Sequence, residues 1–303
     1  MLIPFLRCPS SAGATLSRRQ LLLRLLFPLL AIIACGGVEP HPPVHLTLAG
    51  STSMLPLVQE LARAYEEAHH YATIDTKGGG SRFGLEAVRK DQVEIGMISW
   101  DLTGGEASGL RARTIAYDGL TIIVNEDNRV RRLALAEIRN IFTGQILDWS
   151  ELGGEAGEIQ VVSREDGSGT REVFEVQVMQ GKRVIPMAVI MPGSQAVVEF
   201  VATHPTAIGY VSMGWLGEGV RAVAVEGIEP NRETVAQERY PLTRPLLLVT
   251  PNEPDPEAQS FINFVLSPRG QAIVTKKYVG VREKQGLALW NFATTTPHPV
   301  ESQ

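Results

Sequence analysis

Short apolar runs alternate along this chain with stretches in which apolar residues recur at helical spacing. The runs predict strands near 46–49, 73–76, 94–98, 119–125, 160–162, 207–212 and 246–250. Helical spacing is found at residues 57–65, 135–142, 173–179 and 258–265, and a last helix is predicted with Ser267 as its N-cap and Pro268 at its first position. Strands that alternate with amphipathic helices are typical of an α/β fold.

Four segments place small hydroxyl residues, mostly beside glycine, where a predicted strand ends. They are Gly-Ser-Thr-Ser at 50–53, Gly-Gly-Gly-Ser at 78–81, Ser99, and Arg-Glu-Asp-Gly-Ser-Gly-Thr-Arg at 164–171. Open α/β sheets bind their ligands at the carboxyl ends of strands. Together the four segments predict a pocket lined with N–H and O–H donors, which suits a small multivalent oxyanion.

The segment at 164–171 is the most informative of the four, because it joins a fixed cation to a glycine-rich hydroxyl loop ahead of a predicted helix. A helix start offers free backbone N–H groups and the positive end of the helix dipole to an anion. Two interpretations remain open for it. Arg164, Ser168 and Thr170 contact an anion, or Ser168 is only an N-cap and Arg164 only pairs with Asp166 at the surface.

Composition narrows the function classes. The chain has 303 residues, 44% of them apolar, and a net charge of −5, and its first 35 residues carry four arginines and no acid. Loss of that segment would leave a net charge of −9. A basic stripe for nucleic acid is absent from the sequence, as are a P-loop and a Gly-x-Gly-x-x-Gly after a strand, so nucleic-acid or nucleotide binding is not indicated.

The N-terminal residues 1–35 are typical of an export signal. Arg18 and Arg19 precede the apolar run 21–34, and Ile-Ile-Ala-Cys-Gly at 32–36 resembles the lipobox of bacterial lipoproteins, in which Cys35 is acylated. An ordinary cleaved signal is the alternative, and the paired arginines weakly resemble a twin-arginine signal. The proline-rich residues 36–45 are interpreted as a tether. Cys8 and Cys35 are the only cysteines, so the body of the chain contains no thiol.

Several motifs occur in the order known for one transport family. They are the hydroxyl segments above, Glu-Ile-Gly-Met at 94–97, Asp-Gly-Leu-Thr-Ile-Ile-Val-Asn at 118–125, Ile-Phe-Thr-Gly at 141–144, Trp-Ser-Glu-Leu-Gly-Gly at 149–154, Ala-Ile-Gly-Tyr-Val-Ser at 207–212 and Ser-Pro-Arg-Gly-Gln at 267–271. From about Leu46 to Val281 the chain resembles the phosphate-binding proteins of bacterial high-affinity phosphate ABC transporters, in their shorter form. The Arg-x-Asp-Gly-Ser-Gly-Thr signature is the most specific part.

The resemblance implies a two-lobed periplasmic-binding-protein fold of type II, with mixed sheets, flanking helices and two crossovers. It implies a first lobe of residues 46–124 plus 243–285 and a second lobe of residues 125–242. Residues 286–303, which include a Thr/Pro-rich stretch, are interpreted from their composition as a tail. It implies a monomer that binds inorganic phosphate without catalysis, cofactor or metal and delivers it to an ABC permease. The binding residues carried over from the family are Thr52, Ser53, Ser81, Ser99, Arg164, Ser168, Gly169 and Thr170, with Asp166 holding the plane of Arg164.

Two positions depart from the family pattern. Longer members have an aspartate where this chain has Trp100, so the carboxylate that accepts the phosphate proton must be another one; we expect Asp118, with Asp101 and Asp166 as alternatives. Arg82 stands where a small residue is usual, and it either adds a cation to the site or points into solvent. Both departures leave sulfate, molybdate or tungstate as alternative ligands.

Two other classes of protein compete with a transport protein. An exported phosphoesterase is one, but the six histidines have no metal-ligand spacing and Ser168 does not lie in a Gly-x-Ser-x-Gly motif. A surface sensor or adhesion module without a transport partner is the other.

Overall fold

Ten strands form one mixed sheet in the computed structural model, which describes residues 41–284 of the chain. The strands of this sheet and of a small second sheet are β1 (Val44–Gly50), β2 (Ala72–Lys77), β3 (Ile95–Ile98), β4 (Leu110–Asn125), β5 (Arg132–Leu133), β6 (Gln160–Arg164), β7 (Val189–Met191), β8 (Ala207–Ser212), β9 (Val220–Ala222), β10 (Ala224–Val225), β11 (Thr243–Pro251) and β12 (Val279–Gly280). The helices are α1 (Leu55–Glu66), α2 (Ser81–Arg89), α3 (Leu135–Phe142), α4 (Gly169–Phe174), α5 (Ser194–Thr203), α6 (Arg232–Ala236), α7 (Pro256–Leu266) and α8 (Pro268–Val274).

The first part of the sheet has the parallel pairing that strand–helix–strand units produce. β1 lies between β2 and β3 and is parallel to both, and helices α1 and α2 make the crossovers. Leu46, Leu48 and Ile95 are buried in the core of this part. β11 returns much later in the chain and pairs antiparallel with β3. The sheet is therefore mixed, and the α/β prediction is confirmed.

One long strand, β4, belongs to both parts of the sheet. Residues 110–119 pair antiparallel with β11, while residues 120–124 pair antiparallel with β8. β6 is parallel to β8, and β7 is parallel to β6. The sequence predicted only residues 119–125 of this strand, because its earlier residues include the charged Arg111 and Arg113 and lack an apolar run.

Helix ends follow the local signals. Ser267 caps α8 through its side chain, which accepts a hydrogen bond from the backbone N of Gly270, and Pro268 opens the helix as predicted. The helix predicted over residues 173–179 is α4, which continues as a π-helical segment at Glu175–Met179. Val176, within this segment, is 65% exposed.

The N-terminal boundary needs one correction. Strand β1 begins at Val44, so the prediction of a tether that extends to residue 45 is wrong at its last two positions, since Val44 pairs with Ala72 in the sheet. The predicted signal segment, Cys35 and the predicted tail 286–303 lie outside the described residues. The helices within residues 41–284 are each too short or too polar to span a lipid bilayer.

Candidate functional site

Four buried serine hydroxyls meet where β1 and β3 end and α2 begins. Hydrogen bonds join Ser51 Oγ to Ser53 Oγ at 2.7 Å, Ser51 Oγ to Ser99 Oγ at 2.9 Å, and Ser81 Oγ to Ser99 Oγ at 3.2 Å. All four side chains are almost completely buried. We call these four residues the hydroxyl cluster. The sequence predicted that three of its members, Ser53, Ser81 and Ser99, would lie together.

Gly50 allows β1 to turn into this cluster. Its φ is +138°, a conformation that glycine adopts readily and other residues avoid. A Cβ at this position would lie 2.3 Å from the carbonyl O of Met97 on the neighbouring strand. The backbone N of Ser51 then donates to that same carbonyl at 2.8 Å. The close approach of β1 and β3 brings Ser51 and Ser99 into contact.

The start of α4 faces the hydroxyl cluster. A Cβ added to Gly169 would lie 2.4 Å from Ser81 Oγ and 2.5 Å from Ser99 Oγ. Ser168 is the N-cap of α4, because its Oγ accepts a hydrogen bond from the backbone N of Arg171 at 3.3 Å. The N-cap interpretation of Ser168 therefore agrees with the structure, and the helix start it caps is directed at the other hydroxyls.

Arg164 ends β6 and is 1% exposed. Its Nε and Nη2 donate to the two carboxylate oxygens of Glu165, both at 2.8 Å. Nη2 also donates to Thr52 Oγ1 at 3.0 Å, and Nη1 donates to Ser194 Oγ at 3.3 Å. This buried cation thus contacts hydroxyls from the β1–α1 loop and from the start of α5.

The prediction that Asp166 pairs with Arg164 is wrong. Glu165 occupies the guanidinium fork instead, while the Asp166 side chain is 93% exposed and pairs with Arg171 at 2.7 Å. The physical reason is the tight turn after β6, which directs Asp166 into solvent toward the cation at the first turn of α4. The structure therefore separates Asp166 from the predicted binding residues.

Asp118 and Arg244 form a second buried ion pair beside the cluster. Asp118 is 0% and Arg244 2% exposed, and Arg244 Nε donates to Asp118 Oδ2 at 2.9 Å. Burial raises the pKa of Asp118 above that of an ordinary aspartate, and Arg244, Ser212 and the backbone N of Met213 oppose this shift. Arg244 Nη1 reaches Thr170 Oγ1 at 3.0 Å, which connects the pair to the start of α4.

The remaining candidates lie at the edge of the site. Asp101 is exposed, whereas Trp100 is buried. The guanidinium of Arg82 lies 5.6 Å from the centre of the Trp100 ring and 3.9 Å from Glu172, and about half of its side chain is exposed. Arg82 therefore lies at the edge of the site, half exposed and between Trp100 and Glu172.

The groups that meet in this region are mainly hydrogen-bond donors, which is the chemistry of an anion-binding site. Hydroxyls, the N-terminal N–H groups of α4 and buried guanidinium groups converge, while each guanidinium has its own carboxylate partner.

Three histidines lie away from this site. His45 contacts Asp75, His69 contacts the backbone of Tyr65, and His204 contacts Phe200 and Thr203, all away from the hydroxyl cluster. Among residues 41–284, no group of three or more His, Cys, Asp or Glu side chains could hold a metal ion.

Sequence reasoning missed three residues of this region. Ser51 was part of a recognised segment but was not chosen, and Ser194 follows Pro-Gly at a helix start, a signal that could have identified it. No local sequence pattern marks Arg244 as a residue of the site. It lies at the start of β11, ahead of the apolar run at 246–250, and is 126 positions from Asp118, so only the pairing of β11 with β4 brings the two together.

Comparisons with known proteins extend over most of the chain. Residues 37–269 match the family model of a PBP superfamily domain. The chain is similar to Phosphate-binding protein PstS of Bacillus subtilis, with 30% identity over 289 residues that cover 88% of this chain and 96% of the relative. The fold is similar to that of a putative phosphate ABC transporter substrate-binding protein with bound phosphate from Clostridium perfringens, with 38% identity and a TM-score of 0.77 over 78% of this chain and 100% of that chain. An ABC-type phosphate transport receptor from Vibrio cholerae matches with 30% identity and a TM-score of 0.65 over 78% of this chain and 100% of that chain.

Proposed function

Because this chain belongs to the PBP superfamily and, within it, to the phosphate-binding proteins of ABC transporters, we propose that it captures inorganic phosphate outside the cytoplasm and delivers it to an ABC permease. The observation that carries the proposal is the convergence of the hydroxyl cluster, the start of α4 and the buried Arg164. Fixed donors of this kind bind a dehydrated oxyanion through many hydrogen bonds at once. The function is binding and release, without a chemical step.

The proposed ligand contacts come from five elements, β6, α4, β1, β3 and α2. Arg164 supplies a buried positive charge with Nη1 and Nη2 directed at Ser194 and Thr52, and the start of α4 supplies backbone N–H groups. Hydroxyls approach from the ends of β1 and β3 and from the start of α2. The direct binding residues are Thr52, Ser53, Ser81, Ser99, Arg164, Ser168, Gly169 and Thr170, and their burial supports the assignment. Asp166 is not included, because its side chain lies in solvent.

We further propose that residues 46–124 plus 243–285 form one lobe and residues 125–242 the other, and that the lobes close on the anion. Hydrogen bonds across this division support the proposal. Arg164 donates to Thr52, the backbone N of Arg82 donates to the carbonyl O of Gly167 at 3.1 Å, and Trp215 Nε1 donates to the carbonyl O of Ser53 at 3.1 Å. A permease would recognise the closed form.

Calorimetry tests the choice of ligand. We expect phosphate to bind the wild-type protein at least tenfold more tightly than sulfate, molybdate or tungstate, each titrated under the same conditions. Equal or tighter binding of sulfate would show that the donor site takes another tetrahedral oxyanion as its ligand and not phosphate. Absence of binding for all four anions would contradict the proposed function itself.

We also propose that Cys35 is lipidated and that the protein is a monomer held at the outer face of the membrane by this anchor alone. The support is the lipobox-like sequence at 32–36 and the proline-rich residues that separate it from β1. We expect Cys35→Ser to move the protein from the membrane fraction to the soluble fraction without changing phosphate affinity. Fractionation followed by a phosphate titration measures both. Membrane retention of the variant would contradict lipidation at this residue.

A further inference from the structure

Arg244 lies on β11 directly opposite Asp118 on β4, at a register position where the two strands are paired. The register of these two adjacent strands therefore determines that the two side chains meet as an ion pair. Arg244 Nε and Nη2 both face Asp118 Oδ2, at 2.9 Å and 2.8 Å. The carboxylate therefore holds one edge of the guanidinium, and its other edge is directed elsewhere.

Asp118 has little capacity left for a further donor. Oδ1 accepts from Ser212 Oγ at 2.9 Å and from the backbone N of Met213 at 3.2 Å. Oδ2 lies within 2.9 Å of both Arg244 nitrogens. An ionised carboxylate offers about four lone-pair positions, and three aligned protein donors already bind this one: Ser212 Oγ, the backbone N of Met213 and Arg244 Nε. Arg244 Nη2 lies 2.8 Å from Oδ2 without hydrogen-bond alignment, so a proton of a bound anion would have to compete with this nitrogen for Oδ2.

Arg244, in contrast, has donors directed at the binding residues. Nη1 donates to Thr170 Oγ1 at 3.0 Å and to the carbonyl O of Ser99 at 3.4 Å. Nη2 is buried and, despite its 2.8 Å contact with Asp118, has no acceptor with hydrogen-bond geometry. A buried N–H without an aligned acceptor is costly, so this nitrogen favours a further acceptor, such as an oxygen of a bound anion.

We propose that Arg244 is a second anion-binding arginine of this site, with Asp118 as the residue that positions it. The proposal rests on the proposed function and adds a residue to it. Arg164 approaches the site at Thr52, and Arg244 approaches it at Thr170 and Ser99, so a dianion between them is flanked by two guanidinium groups. Asp118 then fixes the plane of Arg244 and does not accept the proton of phosphate.

The test measures phosphate and sulfate affinity, by titration and by competition, for wild type, Arg244→Gln, Arg244→Lys and Asp118→Asn. We expect Arg244→Gln to weaken phosphate binding at least tenfold and Arg244→Lys to lose less, because the charge is kept while the fork is lost. Asp118→Asn should weaken phosphate and sulfate by similar factors, because it disturbs the orientation of Arg244 and not the recognition of a proton.

Melting temperatures separate these effects from loss of stability, and Arg221→Gln is the matched control. Arg221 is a partly buried arginine that donates to the backbone carbonyls of Glu126 and Val130, away from the hydroxyl cluster. Its variant should melt at a lower temperature and keep the wild-type phosphate affinity within twofold. If Arg244→Gln does not fold, the phosphate affinity of Arg244→Lys tests the proposal instead. We expect this variant to bind phosphate at least threefold more weakly than the wild type.

Two results would overturn the proposal. One is a folded Arg244→Gln variant, or in its place Arg244→Lys, with phosphate affinity within twofold of wild type. The other is a tenfold collapse of the phosphate-to-sulfate preference in Asp118→Asn, which would return Asp118 to the role of proton acceptor. Either result leaves phosphate binding by the wild type intact. A wild type that binds no phosphate would instead refute the proposed function.

Discussion

Arg164→Ala is expected to weaken phosphate binding by at least about 3 kcal/mol, which is more than a hundredfold in affinity. The guanidinium is buried and donates to Thr52 and Ser194 as well as to Glu165. Its removal takes away the charged donor and leaves the Glu165 carboxylate without its partner beside an anion. Both effects oppose binding, and calorimetric titration of phosphate measures their sum.

Arg82→Ala is the matched control for this prediction. Arg82 is also an arginine near the signature loop, but its side chain is half exposed and its contact with Glu172 is long, at 3.9 Å. Exposed pairs of this kind contribute about 0–1 kcal/mol, so phosphate affinity should change by less than about fivefold. A loss below tenfold for Arg164→Ala would remove Arg164 from the binding residues.

Gly169→Ala is expected to weaken phosphate binding by about 2 kcal/mol, roughly thirtyfold, through the volume of a single methyl group. The new Cβ would lie 2.4 Å from Ser81 Oγ and 2.5 Å from Ser99 Oγ, so it must displace both hydroxyls or move the start of α4 away from them. Gly169 is the first residue of a helix, where alanine is favourable, so the backbone itself tolerates the change. The measurement is a phosphate titration combined with thermal melting.

Gly217→Ala provides the comparison for the added methyl group. Gly217 is exposed, and no atom of a neighbouring group lies within 4 Å of the position that a Cβ would occupy there. Its variant should bind phosphate as the wild type does. Wild-type affinity in a folded Gly169→Ala protein would show that the approach of α4 to Ser81 and Ser99 does not contribute to the binding site.

Much of the fold was predictable because its signals are local. Apolar runs identified β1, β2, β3, β8 and β11, and an N-cap serine followed by proline identified the start of α8. Long strands with charged residues were harder, since the first half of β4 alternates exposed arginines with less exposed residues and was not recognised. The lipid anchor and the division into lobes remain predictions.

The sequence by itself determined which segments would meet in the candidate site. Glycine and hydroxyl residues at strand ends identified Ser53, Ser81 and Ser99, and the signature segment identified Arg164 and the start of α4. These are local features, because a turn conformation or a helix start depends on a few neighbouring residues.

Only the tertiary structure decided which charged groups are paired. It placed Glu165 rather than Asp166 in the fork of Arg164. It also brought Asp118 on β4 next to Arg244 on β11, two paired strands that are far apart in sequence. The physical reason is that burial and strand register, which depend on residues far apart in sequence, determine which ion pairs form, whereas local patterns show only which charged residues are available.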